Sequence, residues 1–278
     1  MSEKGDSYNP SEFVQIPVEP KEDGVIRVVS FNLRCADVNG VRMEDRCDLA
    51  VRFLKQEQVA ADTIGVQEAT PEWMRVLTEG LPAYDYVGVG REDGDCKGEY
   101  SAVFYLKDKY QVLDSGTFWL SETPDVVSKG WDADCKRVCS YALLEDKQTG
   151  VRFAHVNSHF DHVGAVAQQN EAKMVSAFVQ EKFADVPRVF TADMNVLPTS
   201  EPYKIMTSSL KDSSLTCPDS VRFGTFHNAK PDQMKDYIID YVLYAGAWEP
   251  VHYRTVTVGI DDRFVSDHFP VYADMKLK

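Results

Sequence analysis

The chain has 278 residues, 44 % apolar and 27 % charged, and its 30 Lys and Arg against 44 Asp and Glu leave a formal charge of −14. Such a composition excludes a disordered or fibrous chain, and at this length roughly three quarters of the unfolded surface is buried on folding, so no disulfide or structural metal is required to hold a core. The acidic balance argues against coating long nucleic acid or an anionic membrane through a general positive field, while leaving room for a locally basic cleft.

Residues 1–24 read as a polar, acidic tail without the apolar segment of a signal peptide. No stretch approaches the ~18 apolar residues of a membrane-spanning helix. A buried strand is predicted over 26–32, an amphipathic helix carrying Ala50, Phe53 and Leu54 over 43–59, and a second strand over 63–67. Thr70, Pro71 and Glu72 supply an N-cap, a first-turn proline and a first-turn acid, and so start another helix. Short apolar runs at 101–105, 110–115, 139–145 and 151–158 read as strands, with a hairpin turn at 147–150. The strongest helical pattern covers 165–183, where Ala172, Val175, Val179 and Phe183 share one face. Strands follow at 188–191, 237–244 and 269–275. No repeat or linker interrupts this order, so 25–278 reads as one domain of mixed strands and helices, expected to act as a monomer. Cys35, Cys47, Cys96, Cys135, Cys139 and Cys217 show no paired metal-ligand spacing. They read as free thiols, which favours a reducing, cytoplasmic setting.

Polar residues gather where these strands end. They are Asn32, Gln67 with Glu68, Asn157 to His159, Asp193 with Asn195, Asp240, and Ser266 to His268. A single carboxylate at a strand end ordinarily caps a turn, and a single histidine in an apolar run is ordinarily a hydrogen-bonded core residue, as His155 reads here. Six such positions in one domain are harder to explain that way. Together they offer hard oxygen ligands, two histidines, amides and a His–Asp pair.

The ordered set SFNLR (30–34), GVQEA (65–69), NSHFDH (157–162), ADMN (192–195), IDYV (239–242) and SDHFPV (266–271) resembles the endonuclease/exonuclease/phosphatase superfamily over nearly the whole chain. That superfamily includes deoxyribonuclease I, abasic-site endonucleases, sphingomyelinases, inositol polyphosphate 5-phosphatases and the deadenylase–nocturnin branch. Residues 118–138 further resemble a mostly bacterial branch near the deadenylase-like members. Phe160 and Ala192 depart from the usual pattern without replacing a reactive group. The resemblance implies a four-layered α/β-sandwich, two packed mixed sheets flanked by helices, with the motif residues converging at one edge. It implies that Glu68, with Asn32 and Asp267, holds Mg²⁺ or Mn²⁺, for which an all-oxygen set is suited. It further implies that Asp193 positions and deprotonates the attacking water and that Asn195 orients water and phosphate. Asp240 would orient His268, and His159 would donate to the phosphate or leaving group.

Three residues are candidates for substrate contact. Arg137 would grip a phosphate through its planar fork, beside Lys129 and Lys136, or else is a surface arginine. Trp131 would stack on a ring or base, or else belongs to the core. His227 sits in a loop before the IDYV strand. Asp161 and His162 either support the site or begin the turn into the helix. The expected activity is divalent-metal-dependent hydrolysis of a phosphodiester, in a nucleotide or nucleic-acid end, by in-line attack of an activated water. The alternative is a phosphomonoesterase for a small phosphorylated metabolite or inositol-like head group. A catalytically dead binding module is disfavoured because no reactive residue is missing. The expected partner is thus a phosphate ester, short nucleic acid or small molecule, and not a membrane.

Overall fold

The computed structural model describes residues 14–38, 40–56, 58–228 and 236–278. The elements in chain order begin with β1 (Ile26–Asn32), α1 (Met43–Leu54), β2 (Thr63–Gln67), α2 (Pro71–Gly80), β3 (Tyr84–Val87) and β4 (Val103–Leu106). They continue with β5 (Tyr110–Trp119), β6 (Val138–Asp146), β7 (Arg152–His159), α3 (Ala165–Lys182), β8 (Arg188–Asp193) and α4 (Glu201–Thr207). The chain closes with β9 (Lys211–Asp212), α5 (Ser213–Thr216), β10 (Asp219–Val221), β11 (Asp240–Ala245), β12 (Trp248–Thr255) and β13 (Val271–Leu277).

Strand alternation sorts these elements into layers. In β1, Val29 and Phe31 pack with Ala50 and Phe53 of α1 and Trp73 and Leu77 of α2. Val28, one residue out of phase, packs instead with Ala142, Leu144, Phe153 and Val242 of the second sheet. On that sheet's other face, Val156, Phe190 and Ala192 meet Ala172, Val175 and Val179 of α3 and Tyr203 and Met206 of α4. The result is helix, sheet, sheet, helix, as the resemblance implied. A seven-stranded sheet runs β10-β12-β13-β1-β2-β4-β3 and a six-stranded sheet β5-β6-β7-β8-β11-β9. Both are mixed: β1 and β2 are parallel, as are β7 and β8, while their neighbours β13, β6 and β11 run antiparallel.

This topology positions the site. The parallel pairs end level, Asn32 opposite Gln67 and His159 opposite Asp193, and β11 begins with Asp240 opposite Asp193. Five strand ends therefore open on one edge of the sandwich.

Where the structure differs from the sequence reading, local causes are visible. The helix expected to reach 59 stops at Leu54, and the chain reverses through Ala60 at φ 35°. The apolar run at 237–239 is not strand; Ile239 N–H and Asp240 N–H both donate to Thr225 Oγ1 at 3.0 Å instead. Strand β12 is missed because Pro250 sits at a register shift that breaks its alternation. Of the polar tail expected over 1–24, residues 14–24 form neither helix nor strand, yet Ile16 is buried and its N–H donates to Thr257 Oγ1 at 2.8 Å. Residues 1–13 lie outside the described residues. Among the described residues, no helix is long and apolar enough to cross a membrane. All six cysteines are free thiols.

Candidate active site

Each reactive side chain sits at or just past a strand end, where the backbone leaves the ladder. Arg34, Glu68 and Asn195 do so in the left-handed region, at φ 58°, 55° and 51°. Non-glycine residues adopt that region at a cost, and such strain gathers at functional sites. Here it turns three polar side chains inward from the sheet edge.

Asn32 ties the two sheets together at this edge. Its amide nitrogen donates to Glu68 Oε1 at 3.0 Å and to Asp193 Oδ2 at 2.8 Å, while its oxygen accepts from Arg34 N–H at 2.9 Å. Glu68 Oε2 accepts from Cys35 N–H at 2.9 Å. Burial opposes charge on Glu68, but the adjacent His159 and that amide outweigh it and hold its pKa below the carboxylate range. Asp193 lies 3.4 Å from His159 Nε2 and 3.7 Å from His268 Nε2 through one oxygen, and its other oxygen accepts from Asn195 N–H at 2.9 Å. Burial, reinforced by the charge of Asp240, lifts the Asp193 carboxyl to about 7.

The two histidines are in opposite states. Burial works against charge on His268, yet Asp240 and Asp193 overcome it and raise its pKa to about 10. Its Nδ1 lies 2.9 Å from Asp240 Oδ2, so Nε2 is free to face the centre. His159 is held well below its usual pKa by burial and then by the charge of Arg137, and is neutral. The Asn195 side-chain nitrogen lies 2.9 Å from His159 Nε2 and also donates to the Phe160 carbonyl at 2.9 Å. Among the described residues, His159 Nδ1 and Asp240 Oδ1 are buried with no hydrogen-bond partner.

These groups floor or back a cavity of about 280 Å³. Glu68, His159, Asp193, Asn195 and His268 line it, together with Arg137. Asn32, Asp240 and Asp267 stand directly behind, each bonded or paired to a lining residue. Arg137 is not a surface arginine: it is buried, with Nη2 3.1 Å from His162 Nδ1 and Nε 3.5 Å from Asp161 Oδ2. Its neighbours in sequence do not join it, since Lys129 is exposed and Lys136 pairs with Glu92 at 2.5 Å. Trp131 is half-buried and does not line the cavity. His227 is buried away from the lining, its ring 4.3 Å from that of Phe269 and 4.7 Å from that of Phe264. Lining residues that sequence reasoning missed are Arg34, Cys35, Arg91, Glu99, Cys135, Phe226, Tyr237 and Ile239. Arg34 lies inside the SFNLR motif and was legible there; Arg91 and Glu99 lie in a loop with no periodic signal.

A divalent cation fits this donor set. Glu68 and Asp267 are buried carboxylates that converge on one positive group: Arg34 Nη1 is 3.8 Å from Glu68 Oε2 and Arg34 Nε is 3.5 Å from Asp267 Oδ2. Arg34 is half-exposed and pairs with both at long range, so it offsets only part of the negative charge that these buried groups carry. Ligand atoms of Glu68, His159 and Asp193 also lie within 4.8 Å of one another.

The chain is 35 % identical to an endonuclease/exonuclease/phosphatase from Bacteroides vulgatus, whose crystal structure matches at a TM-score of 0.84 over 91 % of this chain and 99 % of that one. It is also 35 % identical to a mannosyl-6-phosphatase from Bacteroides thetaiotaomicron, at a TM-score of 0.83 over 90 % of this chain and 99 % of that one. The catalytic domain of human nocturnin, with a bound sulfate anion, shares the fold at 18 % identity, with a TM-score of 0.72 over 96 % of this chain and 97 % of that one. The sequence matches the endonuclease/exonuclease/phosphatase family from Val29 in the first strand to His268, a span that takes in all of the six-stranded sheet and most of the seven-stranded one. The chain belongs to the endonuclease/exonuclease/phosphatase family, whose members hydrolyse phosphoesters.

Proposed function

We propose that this protein is a divalent-metal-dependent phosphomonoesterase acting on a small phosphorylated metabolite. The observation that carries this reading is the shape of the site: a cavity of about 280 Å³ lined by Arg34, Arg91 and Arg137, at the lower end of small-molecule pockets, in a protein of charge −14. Similarity to a mannosyl-6-phosphatase supports it. The phosphodiesterase expected from the sequence uses the same residues and is the second reading; D. rerio TDP2, whose structure holds a single-strand DNA product, shares the fold at 16 % identity and a TM-score of 0.71.

In this reading the phosphoryl group sits between His159 and His268. Asp193, 3.4 Å from one imidazole and 3.7 Å from the other, takes the proton of the attacking water. Asp240 grips Nδ1 of His268 and leaves its Nε2–H to donate to a phosphoryl oxygen as charge develops there. Asn195, whose side-chain N–H donates to Nε2 of the neutral His159, fixes that ring on the opposite side of the phosphoryl group. Arg137, clamped by Asp161 and His162, neutralises the substrate from the cavity wall. A cation held by Glu68, Asp267 and Asn32 would supply Lewis-acid neutralisation of the phosphoryl charge.

The test is a hydrolysis screen of the full chain with Mg²⁺ on p-nitrophenyl phosphate, hexose 6-phosphates, bis-p-nitrophenyl phosphate and single-stranded RNA. Monoesters turned over with higher kcat/KM than either diester support the proposal. A preference for RNA or the diester overturns it in favour of the second reading.

A further inference from the structure

The cavity lining has two unlike parts. Beside His268, whose ring is 5.0 Å from that of Phe226, stand the rings of Phe226 and Tyr237, 5.7 Å apart, with Ile239 also in the lining. Beside Arg137 and His159, with which they also line a small recess, Arg91 and Glu99 reach in from the loop between β3 and β4, and none of the six family motifs includes them. Arg91 Nη1 donates to Glu99 Oε2 at 2.8 Å, and the two side chains are 13 % and 18 % exposed.

The loop that carries the pair is prearranged. Arg91 N–H donates to the Glu99 carbonyl at 3.1 Å and Glu92 N–H to that of Lys97 at 3.0 Å. Asp93 Oδ1 accepts from the Asp95 and Lys97 N–H groups at 2.9 Å each, and Trp119 Nε1–H donates to the Arg91 carbonyl at 2.8 Å. The pair itself uses only part of its capacity. Arg91 Nε makes no hydrogen bond among the described residues, its charged neighbour Glu92 Oε1 lying 3.7 Å away, and a carboxylate that accepts one bond has further lone pairs. The pair also lies next to the reaction: ligand atoms of Glu99, Glu68 and Cys35 all fall within 4.8 Å of one another.

A ligand that matches both parts presents an apolar face to the rings and a row of hydroxyls, each donor and acceptor, to the fixed guanidinium–carboxylate pair. A pyranose ring has this chemistry: C–H groups on its face and hydroxyls around its rim. A nucleobase or an aryl group offers the ring face without the hydroxyl rim. We propose that Arg91 and Glu99 form a hydroxyl clamp for the leaving alcohol and that the substrate is a phosphorylated sugar. The inference rests on the monoesterase reading and adds to it the class of leaving group and the residues that select it.

The experiment compares kcat and KM of the full chain with Mg²⁺ on a hexose 6-phosphate and on phenyl phosphate, which has no hydroxyl, for wild type, Glu99→Gln and Arg91→Lys. Loss of hydrogen bonds to a charged partner predicts that the sugar-to-phenyl ratio of kcat/KM falls about 10- to 100-fold in each variant, chiefly through KM for the sugar. A pair that only closes the loop would lower both substrates together and leave the ratio unchanged, and that result overturns the clamp while leaving the monoesterase reading intact. A wild type that cleaves bis-p-nitrophenyl phosphate but neither monoester overturns the monoesterase reading, and the clamp with it. Glu99→Gln keeps the shape of the side chain, and a thermal melt of each variant separates a folding defect from lost selectivity.

Discussion

His268 is charged because of where it sits, with Asp240 Oδ2 2.9 Å from Nδ1 and Asp193 Oδ2 3.7 Å from Nε2. Removing the carboxylate by Asp240→Asn therefore removes the charge partner of Nδ1 and the larger of the two influences that keep the ring protonated. Each of Asp240→Asn and His268→Ala is expected to lower kcat by about 10²–10⁴, and the double variant by little more than the worse single one. Fully additive losses in that double-mutant cycle would show that the two residues act separately. Glu68 is the buried acid at the end of β2, fastened by Asn32 and by the Cys35 amide. Glu68→Ala is expected to raise the Mg²⁺ concentration for half-maximal activity by at least about tenfold, a scale set by the loss of one charged ligand. A metal titration of the variant checks this, and an unchanged midpoint would remove Glu68 from the metal site. At this scale the sequence was informative for the motif residues, because each lies within a few positions of a recognisable strand. It singled out Arg137 but left open whether it lies on the surface, because its burial depends on Asp161 and His162 from a different segment.

Among the elements, α3 and the segment before β6 depend on each other. The helix starts after Gly164, which has no capping side chain, and takes its cap from Asp132: Oδ1 accepts from Ala167 N–H at 2.7 Å and Oδ2 from Val166 N–H at 3.3 Å. A Cβ on residue 164 would lie 2.6 Å from that carboxylate and 2.7 Å from the Asp132 carbonyl oxygen, which is why glycine stands there. Asp161 adds a second fastening, accepting from Val163 and Gly164 on one oxygen and from Asp134 and Cys135 on the other. The same segment carries Arg137 into the cavity. Asp132→Ala is expected to cost about 1 kcal/mol, the usual worth of an N-cap, and to raise KM because the segment holding Arg137 loosens. Urea denaturation and steady-state kinetics on one preparation measure both, and a stability loss with KM unchanged would uncouple the segment from the site. Periodicity located the body of α3, and Ala172, Val175, Val179 and Phe183 are all buried as their spacing required. The cap lay 35 positions from Ala167, beyond the reach of any local pattern.

Across the whole molecule, the two sheets meet partly on polar groups. His155 of β7 stands between Thr63 of β2, 2.7 Å from Nδ1, and Thr191 of β8, 2.8 Å from Nε2. Thr63 donates to the Phe104 carbonyl, so Nδ1–H of a neutral ring donates to Thr63, while Nε2 contacts the Thr191 hydroxyl, which also bonds Asn157 Oδ1 at 2.9 Å. Burial lowers the pKa of His155 to about 3. Since the unfolded ring protonates near its ordinary value of about 6.5, the stability this group contributes is complete above that pH and is lost as pH falls towards the folded value. Denaturant midpoints measured from pH 7 to pH 4 should fall more steeply for wild type than for His155→Gln; parallel curves would count against it. Next to this contact the sheets approach so closely that a Cβ on residue 65 would lie 2.0 Å from Thr191 Oγ1 and 2.5 Å from Asn157 Oδ1. Gly65→Ala is expected to destabilise by about 1–3 kcal/mol as an overpacking substitution, read as a lower melting temperature. An unchanged melt would show that the sheets separate freely at this point.

What the sequence determined by itself was the family, the order of most strands and helices, and the polar residues that gather at their ends. Those features are written in short stretches of chain, where alternation, capping residues and a motif lie side by side. Only the tertiary structure decided that Arg137 is buried, that Trp131 and His227 stand apart from the cavity, and that Arg91 and Glu99 line it together with Phe226 and Tyr237. The reason is physical: loops have no period to read, and whether a charged side chain is buried, paired or free depends on groups brought to it from distant parts of the chain by the packing of the two sheets.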